Sequence, residues 1–146
     1  MKRIIISTGG TGGHVIPAQA LYQYLSNKNK VIIISDSRGI NYIDKKKYKR
    51  KQIHVPKFNK NIIGFIPFLI FFTISIIKSY LYLKKNRTEI LISTGGYMSI
   101  PTCIAAKILN LKMFLFEPNL VLGRANLFLL TYCNKIFTYN KKIKNF

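Results

Sequence analysis

Two glycine-rich turns are the first places in this chain where residue type and spacing could do chemistry. The first reads Gly9-Gly10-Thr11-Gly12-Gly13-His14 and the second Gly95-Gly96-Tyr97-Met98-Ser99. Each follows a short β-branched run directly, Ile4-Ile5-Ile6 in one case and Ile90-Leu91-Ile92 in the other. Glycine lets the backbone approach a ligand closely and adopt positive φ. The free N–H groups of a following helix favour anions, phosphates above all. Neither turn is a GxGxxG fingerprint or a Walker A loop. A glycine turn can also be a bare structural turn; two at one sheet edge point to a site, since open α/β sheets bind ligands at the carboxyl ends of their strands.

His14 comes straight after the first turn, at the expected first position of a helix. The positive helix end favours a neutral imidazole, which can act as a base; the alternative is a histidine that caps or packs. Pro17 suits a first helical turn. Glu117-Pro118-Asn119 follows the run 112–116, so Glu117 and Asn119 are expected at the same edge, facing the glycine turns. The other reading of Glu117 is a solvated loop acid paired with a lysine.

These residues need elements to position them. Continuous apolar runs suit strands buried on both faces of a parallel sheet. Strands are expected at 3–7, 31–34, 52–55, 89–93, 112–116 and 135–139, and helices at 14–25, 101–109 and 123–130. Val15, Ala18, Leu21, Tyr22 and Leu25 would form the inner face of the first helix. Alternating strands and helices predict an α/β fold, a parallel sheet with helices on both faces.

The chain has 146 residues, enough for one domain and short for two. It carries 24 Lys plus Arg against four acids, a formal +20, so polyanions are the first partners to consider. Ile, Lys, Asn, Phe and Tyr, all with A or T at the first two codon positions, supply 74 residues, so nucleotide composition inflates that excess. Two cysteines and two distant histidines predict no disulfide framework, no metal site and no cofactor. The run Lys45 to Lys51 is either a solvated loop or, with the tyrosines, a nucleic-acid surface; no recognition spacing supports the latter. The start of the chain is too short and glycine-interrupted for a secretory signal. Residues 61–77 carry no charge, and Lys57, Lys60, Lys78, Lys84 and Lys85 flank them. A buried helix, a membrane-surface helix and a span are all open, the length being short for the last.

Taken together, GGTGGH with Pro17, Ala18, Ala20 and Leu21, then GGY with Ser99, Pro101, Ala105 and Ala106, then Glu117, Asn119, Gly123 and Asn126, resemble the MurG family of glycosyltransferases (family 28) over residues 2–139. The resemblance implies a Rossmann-like sheet, the N-terminal half of a GT-B fold, occupying 1–146. It implies transfer of GlcNAc from UDP-GlcNAc to undecaprenyl-diphospho-MurNAc-pentapeptide in peptidoglycan synthesis, with inversion. By that resemblance His14 is the base that helps deprotonate the acceptor hydroxyl. Thr11, Gly12, Gly13 and Asn119 match sugar-nucleotide-site residues, the first loop also lying beside the acceptor diphosphate; Gly95, Gly96 and Tyr97 match the loop expected near that diphosphate, and Glu117 is a further candidate for substrate binding. The same resemblance places an apolar patch ringed by lysines (Ile62, Ile63, Phe65, Ile66, Phe68, Leu69, Phe72 and Lys78) on the anionic cytoplasmic face of the bacterial inner membrane. Each nearby cation adds about 1 kcal/mol at an anionic surface.

Two departures stand out. The family's usual His-Glu-Gln-Asn is Phe116-Glu117-Pro118-Asn119 here. The donor-binding second domain of the family is expected to be absent, so the chain alone should turn over poorly. It would then be a split enzyme's acceptor subunit, needing a separate donor-domain chain, or an inactive remnant.

Overall fold

The structure, a computed structural model, describes residues 1–57 and 62–140, with the side chains of 62–64 left out of that description. Lys60, the tail 141–146 and the side chains of Ile62 and Ile63 therefore lie outside the described residues. The elements in order are β1 (Arg3–Ser7), α1 (Gly12–Ser26), β2 (Lys30–Ser35), β3 (Arg50–Gln52), α2 (Ile62–Lys85), β4 (Ile90–Ser93), α3 (Ile100–Ile108), β5 (Lys112–Glu117), α4 (Arg124–Leu129) and β6 (Lys135–Thr138). All strands are parallel, in the order β3-β2-β1-β4-β5-β6. The sheet order reverses between β1 and β4, and that switch point brings the two glycine turns side by side.

Strand alternation sorts the core into two layers. Ile4, Ile6, Val31 and Ile33 face α1 and pack with Val15 and Ala18; Leu21, Tyr22 and Leu25 border that layer, as their helical spacing predicts. Ile5, Leu91, Met113 and Leu115 face the other way, onto Leu83 of α2, Cys103, Ala105 and Ala106 of α3 and Leu129 of α4. Tyr48 is buried in the α1 layer and the Arg50 guanidinium donates to Ile40 O at 2.7 Å. The basic run is thus partly built into the fold and is not a wholly solvated loop. Its last residues form the edge strand, which covers 50–52 and not the expected 52–55. Edge pairing falls there because Ile33, Ile34 and Ser35 of β2 match Arg50, Lys51 and Gln52, after which Pro56 ends regular structure.

Residues 62–85 form the crossover helix between two strands of one sheet, so this segment lies along the domain. Phe65–Lys85 is long and apolar enough to cross a membrane by length and composition, yet it buries Leu83 against the sheet. Nor is it simply a buried helix. Its two serines face inward, Ser75 Oγ lying 2.7 Å from both His54 O and Phe71 O, and Ser79 Oγ 3.3 Å from Thr102 Oγ1. Phe65, Ile66, Leu69, Ile70, Phe71, Ile74, Ile77 and Leu81 are exposed. The helix thus turns both serines in and much of its aliphatic surface out, unlike an ordinary amphipathic helix in water.

The α1 face of the sheet changes character past β4. Helices α3 and α4 reach β5 from the opposite face. Phe114 and Phe116 are half-buried and Phe137 of β6 is 51% exposed, its ring 5.9 Å from that of Phe114. Parallel sheets are ordinarily covered on both faces, so this phenylalanine strip is unusual.

Candidate functional site

The first glycine turn is tied down by an acid that follows β2. Asp36 is 2% exposed, and its Oδ1 accepts from Gly10 N at 2.9 Å and Gly39 N at 3.0 Å. Burial alone would push this carboxyl up. The amides of Gly10, Gly39 and Arg38 and the Arg38 charge outweigh burial and hold it below its ordinary value. Asp36 was not among the expected site residues, although it follows a strand end just as Glu117 does.

The second turn is braced by two serines. Ser93 Oγ accepts from Gly95 N at 3.2 Å and donates to Ser99 Oγ at 3.1 Å, and Ser99 Oγ donates to Gly96 O at 2.8 Å. Gly95 and Gly96 have φ of +92° and +85°. A Cβ on Gly96 would stand 2.6 Å from Gly9 O, and one on Gly95 would stand 3.2 Å from the His14 ring. Two glycine turns are needed because they pack on each other and on the histidine.

Helix α1 begins at Gly12, so His14 lies within its first turn and not at its first position. Its Nδ1 lies 2.9 Å from Thr94 O. A carbonyl only accepts, so Nδ1 carries a proton, and in the neutral ring the lone pair sits on Nε2. Thr94 Oγ1 donates back to His14 O at 2.9 Å. His14, Gly95, Gly96, Tyr97, Gly123, Arg124, Ala125 and Asn126 line one hollow of about 190 Å³. Burial pushes the Tyr97 hydroxyl up to about 12, leaving it a neutral wall. Thr94 and Arg124 are two further residues that the sequence did not single out; only the fold brings them to the histidine.

Glu117 neither faces the glycine turns nor meets solvent. It is fully buried and organises its own loop: Oε1 accepts from Asn119 N and Nδ2 at 3.1 and 2.8 Å, and Oε2 accepts from Gly123 N at 2.8 Å and Asn126 Nδ2 at 3.0 Å. Fourfold satisfaction of a buried carboxylate rigidifies the wall that carries Arg124. Neither Phe116 nor Pro118 supplies a side chain to this network, so it is intact despite those departures. Thr11, Gly12, Gly13 and Asn119 do not line the hollow, although Thr11, Gly12 and Gly13 adjoin His14.

The remaining acids are also held by backbone amides, Asp44 by Lys46 N at 2.8 Å and Glu89 by Arg3 N at 2.9 Å. All four carboxylates thus serve local structure, and none lines the hollow.

Residues 4–138 match the Glycosyltransferase family 28 N-terminal domain. The chain belongs to glycosyltransferase family 28. Among family 28 relatives it is 50% identical over 145 residues to the UDP-N-acetylglucosamine–N-acetylmuramyl-(pentapeptide) pyrophosphoryl-undecaprenol N-acetylglucosamine transferase of Pelagibacter ubique, covering 99% of this chain and 41% of that protein. It is 35% identical to the enzyme of that name from Rickettsia felis, covering 99% and 40%. The chain therefore spans about two fifths of the length of these relatives. MurG of Acinetobacter baumannii superposes with a TM-score of 0.86 at 21% identity, over 100% of this chain and 43% of that one. Staphylococcus aureus MnaA, solved with UDP, gives 0.75 at 14%, over 98% and 40%. The fold of this family 28 chain is that of the N-terminal half of a GT-B glycosyltransferase.

Proposed function

We propose that residues 1–146 form the acceptor- and membrane-binding domain of an inverting N-acetylglucosaminyltransferase. The enzyme would transfer GlcNAc from UDP-GlcNAc to undecaprenyl-diphospho-MurNAc-pentapeptide, with a donor-binding domain supplied from beyond these residues. The observation that carries the reading is the His14–Thr94 pair, which leaves Nε2 of a fixed imidazole available at the hollow. Nε2 takes the proton of the acceptor C4 hydroxyl as that oxygen attacks the anomeric carbon, and UDP departs with the electron pair of the breaking bond. Arg124, which lines the hollow, offers positive charge to a diphosphate.

The inverted α2 supports a peripheral seat on the cytoplasmic face of the inner membrane. An exposed stripe of aliphatic side chains flanked by Lys78, Lys84 and Lys85 suits an anionic bilayer surface. The half-open phenylalanine strip on β5 and β6 supports a second domain that covers it.

The test is GlcNAc transfer to a lipid-linked acceptor, with the chain alone and with the remaining portion of the Pelagibacter relative fused to Phe146. Transfer by the fusion that His14→Ala abolishes is expected. Full transfer with His14→Ala would remove the histidine from the mechanism, and full transfer by residues 1–146 alone would refute the need for a donor domain.

A further inference from the structure

Four aromatic rings form a continuous row leading away from the hollow. Tyr97, which lines the hollow beside His14, lies 6.1 Å from Phe72; Phe72 lies 5.5 Å from Phe68, and Phe68 6.3 Å from Phe65. Successive rings are inclined by only 28–34°, so they present a run of similarly oriented faces. The spacing 65, 68, 72 places the three phenylalanines along one side of α2. Exposure changes along the row: Phe72 and Phe68 are half-buried, and Phe65 at the far end is open, next to exposed Ile66 and Leu69. Tyr97 Oη is buried and has no hydrogen-bond partner among the described residues.

The row thus joins two features with different chemistries. At one end are Arg124 and the histidine; at the other is the outward aliphatic stripe. We infer that the row of Tyr97, Phe72, Phe68 and Phe65 seats the first isoprene units of a polyprenyl diphosphate whose diphosphate occupies the hollow. This rests on the lipid-linked-acceptor reading above and adds where the lipid runs. A prenyl chain leaving a diphosphate at the hollow meets Tyr97 first, and each ring-to-ring step is comparable to one isoprene unit. The row would seat the first few units and hand the rest of the chain to the bilayer. Aromatic rings offer apolar contact with little rotamer freedom to lose. This role is distinct from surface adsorption, which the outward face of α2 serves.

The inference is tested by calorimetric titration of the chain, without lipid or detergent, with inorganic pyrophosphate, geranyl diphosphate and geranylgeranyl diphosphate below their micelle concentrations. Affinity should rise about tenfold or more for each added pair of isoprene units, since each methylene removed from water is favourable. Phe72→Ser should flatten that rise while leaving pyrophosphate affinity unchanged, and Phe72→Leu should keep most of it. Phe65→Ser, at the open end where the fold does not depend on it, should reduce only the gain from two units to four. Leu69→Ser should leave the gain intact. Equal affinity for all three ligands overturns the inference, as does a length gain that Leu69→Ser removes and the phenylalanine variants keep. A length gain for geraniol and geranylgeraniol with no affinity for pyrophosphate would instead sink the diphosphate reading of the hollow and leave the row standing.

Discussion

His14 and Thr94 are bound to each other twice, the side chain of each to the main-chain carbonyl of the other, both at 2.9 Å. One bond sets the imidazole tautomer and the other stitches the start of α1 to the end of β4. Eighty residues of chain separate the partners, and β1 and β4 lie side by side in the sheet. Thr94→Val keeps the shape and the Thr94 carbonyl but removes the hydroxyl donor. It should cost about 1 kcal/mol in urea unfolding and lower kcat of the donor-domain fusion more than it changes KM. Thr94→Ser should restore both; equal kcat for Val and Ser would show that the second bond does not position the histidine.

The glycines differ in what they tolerate. Gly96→Ala meets Gly9 O and takes an alanine to φ of +85°, and Gly95→Ala meets the His14 ring. Gly10 also has positive φ, but a Cβ there meets nothing within 4 Å. Alanine at 10 should therefore cost only backbone strain, about 1–3 kcal/mol, and alanine at 96 clearly more. Thermal unfolding of the three variants ranks them; similar losses at 10 and 96 would contradict the close packing of the two turns.

Asp36 makes the first turn acid-sensitive. Its carboxyl is held below the ordinary value of 3.8, so its stabilisation is complete above that value and is lost as pH falls through the lower folded value. Asp36→Asn should lower stability at pH 7 by about 2 kcal/mol, the scale of hydrogen bonds to a charged group. The gap between the proteins should close below pH 3.8. Urea midpoints at pH 7, 4 and 2.5 check this; a gap that widens toward acid would reverse the assigned sign.

The outward stripe of α2 can be altered without touching the core. Ile70→Glu and Ile77→Glu change residues 55% and 51% exposed, so melting temperature should hold. Binding to anionic vesicles should fall about tenfold or more for each, the equivalent of losing one buried aliphatic side chain. Replacing Lys78, Lys84 and Lys85 by Gln should remove most of the salt dependence of sedimentation. Unchanged vesicle binding in the isoleucine variants would rule the stripe out as the membrane face.

The phenylalanine strip reports on the second domain. Phe137→Glu should leave the melting temperature of residues 1–146 nearly unchanged, because the ring is half-exposed there. It should lower that of the fusion with the Pelagibacter portion by several degrees if the added domain covers the strip. Equal shifts in the two proteins would show that nothing packs there.

Much of the fold was legible because parallel strands read as uninterrupted apolar runs and glycines punctuate their ends. The expected helices and all strands but one lie within a few residues of their positions. The exception, at 50–52, is an edge strand of Arg, Lys and Gln, whose pairing depends on β2 and not on its own apolarity. The site was legible in part. His14, Gly95, Gly96 and Tyr97 could be named from their places at strand ends, but Glu117 looked the same in sequence and serves its loop. Asp36 carried a similar positional signal, whereas Thr94 and Arg124 carried none.

The amino-acid sequence alone determined the layer type, the two turns, the histidine and the excess of cations, because each is a local matter of residue type and spacing. The tertiary structure decided which way side chains face. It sent Ser75 and Ser79 inward and Ile70 and Ile77 outward, buried all of Glu117, and laid Phe72 against Tyr97. The uncharged run that opens this 24-residue helix has no local rule for which side meets the sheet. Contacts with α3 and the β3–α2 connection supply that rule, and they form only once β3 and β4 are parts of one sheet.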